Sequence, residues 1–196
     1  MKKLFLILVG TVLLAGTAAA QTYQKHIFGV RAGLNIANVS FDGVKHESKA
    51  GFHLGGSYQY LLTERMPLYL ETGLQITQKG TKHDATLKKY TAFYAEIPVA
   101  VTYKFRVADE IALLPAAGFY YGLGLGGKVK AAGNKADTFG DDGAFKRSDF
   151  GMRFGGAVEW RRYSFGLGYE FSLVNVAKHG SDTHNRNFFF SVGYNF

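Results

Sequence analysis

Seven ionisable residues sit inside otherwise apolar, alternating segments: Arg31, Glu71, Glu96, Lys104, Arg153, Glu159 and Glu170. Charges of both signs gathered in one interior can do two kinds of chemistry. They can line a path for ions or small solutes, because ionisable groups placed within a membrane often mark one. They can instead pair with one another and fill the space, which is favoured where the enclosure is only wide enough for side chains. Filling is the expectation here, with a narrow pore as the alternative.

A second set of residues raises catalysis. His46, His83, His179 and His184 fall between the apolar segments, His53 lies within one, and His26 stands near the start of the first. A lipid-modifying hydrolase would need His and Ser close together on a lipid-facing surface, with an acid to orient the His. Ser181, Asp182 and His184 share one polar segment without an adjacent H-x-S pattern, so a non-enzymatic chain is expected. Asp137, Asp141 and Asp142 do not have the spacing of a calcium loop, and neither metal nor cofactor is expected.

A third set is cationic. Lys79, Lys82, Lys88, Lys89, Lys128, Lys130, Lys146 and Arg147 cluster at the ends of the apolar segments. At one membrane boundary they would be solvated or would pair with the phosphates of lipopolysaccharide, as basic residues do beside anionic headgroups.

The elements that carry these residues follow from a period of two. In YSFGLGYEFSL one set is Tyr163, Phe165, Leu167, Tyr169, Phe171 and Leu173, and the other is Ser164, Gly166, Gly168, Glu170 and Ser172. The alternation recurs in eight segments, near residues 28–37, 51–62, 68–79, 90–105, 111–128, 150–160, 163–173 and 187–196. One set is bulky and apolar; the other is mostly Gly, Ala and Ser with scattered charge. A soluble barrel has the reverse arrangement, with large apolar residues inside. The small set fits a narrow lumen, and the large set would form an apolar belt too extensive for water. In hydrocarbon an open sheet edge is prohibitive, so the sheet must close. The expected fold is all-β: an eight-stranded antiparallel up-and-down transmembrane barrel.

Connections set the orientation. Short joints at 63–67, 107–110 and 161–162 alternate with long ones at 38–49, 80–89, 129–147 and 178–186. Short periplasmic turns and long external loops place both mature termini in the periplasm, with four extracellular loops. A two-residue turn at Arg161-Arg162 puts Trp160 opposite Tyr163 and Arg153 opposite Glu170, and similar counting puts Glu96 near Tyr120. Pro98 and Pro115 cannot donate to a ladder, and one shared irregularity is expected to accommodate both.

The front of the chain reads as an export signal. Lys2 and Lys3 precede an apolar run from Leu4 to Ala15 and the small residues Ala18 to Ala20, an n-region, h-region and A-x-A site. Residues 1–20 are thus expected to be cleaved, leaving a barrel domain at 21–196. The formal charge of +8 falls to +6 without the two lysines (8 − 2 = 6). For an exported chain that excess points to lipid and not to nucleic acid. With no cysteine, neither disulfides nor a lipidated Cys can form.

VRAGLNIANVS, GFHLGGSYQY, YLETGLQITQKGTK, YAEIPVAVTYKF, GFYYGLGLGGK, FGMRFGGAVEW, YSFGLGYEFSLVNV and FFFSVGYNF together resemble the small outer-membrane β-barrel (porin-like, PorT-type) family of Bacteroidetes-like Gram-negative bacteria. The likeness spans nearly all of the mature chain. It implies a barrel in the outer membrane but assigns no catalytic residue. It also implies that the closing strand, through Tyr194 and Phe196, is the signal read by the barrel-insertion machinery. The remaining expected partners are outer-membrane lipid, lipopolysaccharide and an unknown extracellular ligand.

Overall fold

The structure, a computed structural model, describes residues 23–41, 47–83, 88–131, 134–139, 143, 145–178 and 182–196. The expected signal peptide lies outside them. Ten strands run in chain order: β1 His26–Phe41, β2 Glu47–Leu61, β3 Leu68–His83, β4 Lys88–Tyr103, β5 Phe105–Ala108, β6 Ile111–Ala131, β7 Asn134–Asp137, β8 Ser148–Trp160, β9 Tyr163–Ser172 and β10 Thr183–Asn195. β5 continues β4 beyond Lys104, and β7 folds back on the end of β6, so eight staves form the wall. Every stave pairs antiparallel with both neighbours. β1 meets β10 through a register that includes Leu34 opposite Phe190, which closes the cylinder.

The faces divide as the alternation requires. Leu34 is 65% exposed and Leu74 58%, while Glu96 is 0% and Glu170 1%. Large apolar side chains thus point outward around the wall, and polar ones point in. The strands extend further toward the long connections than the apolar pattern indicates. β1 runs to Phe41 and β3 to His83, because ladder pairing continues past the belt, where no apolar face is required.

Besides shifts of register at Ser48–His53 and Arg106–Ala108, two local features bear on the lumen. Between β4 and β6, Phe93 pairs with Gly126 but Tyr94 pairs with Gly124, so Leu125 is an extra residue. A bulge of this kind reverses the facing of everything beyond it. Gly126 therefore sits on the outer side, where an added Cβ would meet nothing within 4 Å, although its parity with Gly118 to Gly124 predicts the lumen. Lys128 is turned outward by the same bulge.

The prolines produce two separate irregularities, not the single shared one expected. Pro98 leaves the β3–β4 ladder unbridged between Thr72–Val99 and Gln75–Glu96, and the Thr72 hydroxyl donates to the Pro98 carbonyl (2.9 Å). Pro115 faces the break at Lys104 that separates β4 from β5. A proline nitrogen cannot donate, and each proline opens the ladder on its own side.

Candidate functional site

The lumen is built in layers. In the half nearer the long connections, β3, β4, β8 and β9 each send one long charged side chain inward. Lys79 Nζ lies 2.6 Å from Glu96 Oε2 and 3.2 Å from Glu170 Oε2. Arg153 pairs with Glu170 and stands 4.0 Å from Glu96. Neutral donors occupy the remaining lone pairs: Gln75 Nε2 donates to Glu96 Oε1 (2.6 Å) and Asn187 Nδ2 to Glu170 Oε2 (3.0 Å). Two cations and two anions thus neutralise each other out of water, with hydrogen bonds completing the shell, as buried charge requires. The aromatic lining adds to this. Lys79 lies 4.2 Å from the Tyr120 ring centroid and Arg153 4.0 Å from that of Phe189, within cation–π range.

The register places Arg153 directly opposite Glu170 and Trp160 opposite Tyr163. Glu96 pairs with Gly122, and Tyr120 with Pro98, so the count that set Glu96 beside Tyr120 is displaced by one pleat. The rings and charges still meet, because Lys79 bridges them.

Lys79 requires the main correction. As a lipopolysaccharide contact it should be at the outer rim, yet it is 3% exposed at the centre of the network. It shares parity with Glu71, Gly73 and Gln75, and no bulge intervenes on β3, so the pleat turns it inward. Alternation alone would have revealed this. Lys128, Lys130, Lys146 and Arg147 are exposed, and Arg147 donates to the Gly124 carbonyl (2.8 Å). The side chains of Lys82, Lys88 and Lys89 lie outside the described residues.

Above the network the lumen is capped. Val39, Ala92, Tyr94, Phe139, Phe145 and Val176 form a buried apolar cluster, to which the long connection after β6 contributes both phenylalanines. Phe139 stacks edge-on against Tyr94 (5.4 Å between centroids). A Cβ on Gly124 would come within 2.7 Å of the Phe139 ring, so glycine there makes room for the cap. Just beneath, Asp149 accepts from Tyr120 (3.3 Å) and Asn185 (2.8 Å).

The half nearer the short turns has its own pair. Lys104 Nζ lies 2.7 Å from Glu159 Oε1, and Asn195 donates to Glu159 Oε2 (2.9 Å). Tyr69 donates to the Gln24 carbonyl (3.2 Å) and packs with Ile27 and Leu61, drawing the segment before β1 across that end. Between the two charge layers lies a cavity of about 90 Å³ bordered by Arg31, Gln59 and Glu71.

The histidines do not form a lipid-facing site among the described residues. His53 is buried in the lumen, with Nδ1 2.9 Å from Asn35 Oδ1 and Nε2 3.0 Å from Ser191 Oγ. This places a His–Ser pair on the side away from lipid. His26 is held on the outside by the Tyr58 hydroxyl (2.8 Å). Asp182 accepts from Asn175 (2.8 Å), while Ser181, His46 and His179 lie outside the described residues, as do Asp141, Asp142 and the side chain of His83. Among the described residues no cluster of three or more His, Asp and Glu side chains has the geometry to hold a metal.

With this geometry in place, comparison with known proteins gives the family. The outer membrane protein beta-barrel domain matches residues 7–196, and the chain belongs to that family, which places it in the outer membrane. The fold is similar to that of Neisserial surface protein A (NspA), at 16% identity and a TM-score of 0.54, covering 86% of this chain and 97% of that one. It is also similar to Ail, the attachment invasion locus protein of Yersinia pestis, at 16% identity and a TM-score of 0.50, covering 88% and 100%. The outer membrane enzyme PagL matches at 16% identity and a TM-score of 0.50, covering 85% and 98%. At such identities the likeness is one of fold alone. No curated protein matches the sequence.

Proposed function

We propose that this protein is a non-enzymatic outer-membrane barrel: a rigid stake, closed along its axis, that presents four extracellular loops for surface interaction or envelope integrity. The observation that carries this reading is the Lys79–Glu96–Glu170–Arg153 network beneath the Phe139–Phe145 cap. A neutral, hydrogen-bonded plug under an apolar lid opposes ion passage, since each charge would have to give up its partner inside a low-dielectric tube. Both mature termini then face the periplasm, residues 1–20 are removed on export, and the affiliation is to the PorT-type barrels. Lys128, Lys130, Lys146 and Arg147 at the rim meet lipopolysaccharide phosphates, and Tyr194 and Phe196 serve the insertion machinery. Ail, which has been crystallised with the heparin analogue sucrose octasulfate, is a precedent for anionic ligands on a barrel of this kind, and it makes polyanions the first ligands to test on these loops.

The test is a planar-bilayer recording. Silence from the wild type supports the plug; a stable, reproducible conductance that rises on Glu170→Ala rejects it. The second reading, a narrow channel for ions or small solutes, draws support from the cavity between the two charge layers. A lipid-modifying activity is disfavoured because the His53–Ser191 pair is shielded from acyl chains; lipid A profiles that change with the protein's presence would reverse that.

A further inference from the structure

Three consecutive residues join the rim to the cap. Phe145 is buried in the apolar cluster, while Lys146 and Arg147, next in the chain, are exposed. Their backbone is held by residues of the cap and the strand beneath it. The Phe145 N–H donates to the Thr138 carbonyl (3.2 Å), the Lys146 N–H to the Val176 carbonyl (2.8 Å), and the Gly124 N–H to the Arg147 carbonyl (2.6 Å). Val176 is 0% exposed and Thr138 1%, so this segment cannot shift without disturbing the cap.

The Arg147 side chain adds a second tie. Its Nη1 donates to the Gly124 carbonyl (2.8 Å), and its guanidinium carbon lies 5.8 Å from the Phe139 ring centroid, within cation–π range. Phe139 fills the space where a side chain on Gly124 would stand and packs edge-on against Tyr94. One guanidinium thus touches both the strand and the ring that closes the mouth. A guanidinium has five N–H donors in a planar fork, and none of the ion pairs among the described residues involves Arg147. Donors not used on Gly124 are open to an anion from the solvent side.

Ordering a long exposed side chain costs conformational entropy. An anion that takes Arg147 in the orientation already used on Gly124 and Phe139 meets that cost once for both contacts, so anion binding and a closed cap favour each other. A lysine carries the charge but not the fork.

We propose that a lipopolysaccharide phosphate bound at Lys146 and Arg147 tightens the cap, with Arg147 as the coupling residue. This rests on the rim cations meeting lipopolysaccharide and adds its consequence for the mouth of the barrel. By linkage, the closed cap raises affinity for the phosphate by the same factor with which the phosphate holds the cap shut.

The test is hydrogen exchange of the folded chain in nanodiscs with and without lipopolysaccharide in the bilayer, with dephosphorylated lipopolysaccharide as the control. Lipopolysaccharide retained by the chain in detergent reads binding separately. The buried Thr138 amide, which donates to the Gly127 carbonyl (3.1 Å), should exchange at least about fivefold more slowly with lipopolysaccharide, the lower end of ordinary coupling between two sites. The dephosphorylated form should not slow it, and amides near Trp160, at the other end of the wall, should not respond. Arg147→Lys should still bind but lose most of the slowing, and Phe139→Ala should lower affinity for lipopolysaccharide by the factor seen in exchange. A wild type that does not bind lipopolysaccharide overturns the rim contact and the coupling together. Binding with unchanged or faster Thr138 exchange overturns the coupling alone and leaves the contact standing. So does equal slowing by the dephosphorylated form, a folded Phe139→Ala chain with wild-type affinity, or undiminished slowing in Arg147→Lys. The exchange arm uses wild type alone, so a variant that fails to fold does not spare the proposal.

Discussion

Lys79 of β3 pairs with Glu96 of the neighbouring β4 at 2.6 Å and reaches across the lumen to Glu170 of β9 at 3.2 Å, joining strands on opposite sides of the cylinder. Removing one member of a buried pair costs about 3–5 kcal/mol, because the partner is left as uncompensated charge. Lys79→Met is therefore expected to lower stability by about that amount, and Lys79→Met with Glu96→Gln to recover a large part of it. Urea unfolding in lipid vesicles reads both; a single variant as stable as wild type would remove the network from any account of the barrel's stability.

The pairing of Arg153 with Glu170 gives a directional test. Arg153→Glu and Glu170→Arg each place like charges opposite one another, whereas the double exchange restores opposite signs on directly paired residues. Each single exchange should impair folding, and the double should fold better than either. A heat-dependent gel shift separates folded from unfolded barrel and reports the order.

Phe139 holds the cap through Tyr94 and the space above Gly124. Phe139→Ala should cost about 3 kcal/mol if the cap is packed as a core. Hydrogen exchange of the Tyr94 and Gly124 amides should accelerate with it, while amides near Trp160 keep their protection.

The apolar belt predicts a dependence on depth. Leu74→Arg, in mid-belt on the outer face, should destabilise insertion by about 2–4 kcal/mol, whereas a charge near the interface costs about 0–1 kcal/mol. Equilibrium folding into vesicles measures the difference, and equal costs at both depths would contradict the orientation of the wall.

The rim cations carry the surface reading. Replacing Lys128, Lys130, Lys146 and Arg147 with Ser should weaken binding to lipopolysaccharide by about 1 kcal/mol per charge and flatten its salt dependence, leaving insertion intact. Lys79 should make no such contribution, and unchanged binding by the fourfold variant would leave these loops without this role.

The sequence by itself determined the wall. Alternation is a local property of the pleat, so Phe165 and Glu170 declare their faces without reference to any neighbour, and a two-residue turn at Arg161-Arg162 sets β8 against β9 in one register. The inward charges Arg31, Glu71, Glu96, Lys104, Arg153, Glu159 and Glu170 were legible on the same ground, and so was Lys79 to a strict count of parity. What parity does not carry is whom a charge meets. Lys79 finds Glu170 across the lumen, a contact between residues far apart in the chain that exists only once the sheet has closed. The extra residue at Leu125, the two ladder gaps at Pro98 and Pro115, and the entry of Phe139 and Phe145 into the mouth are likewise decided by tertiary packing. Each depends on the space and the hydrogen-bond partners that other strands leave, and a segment read alone contains neither.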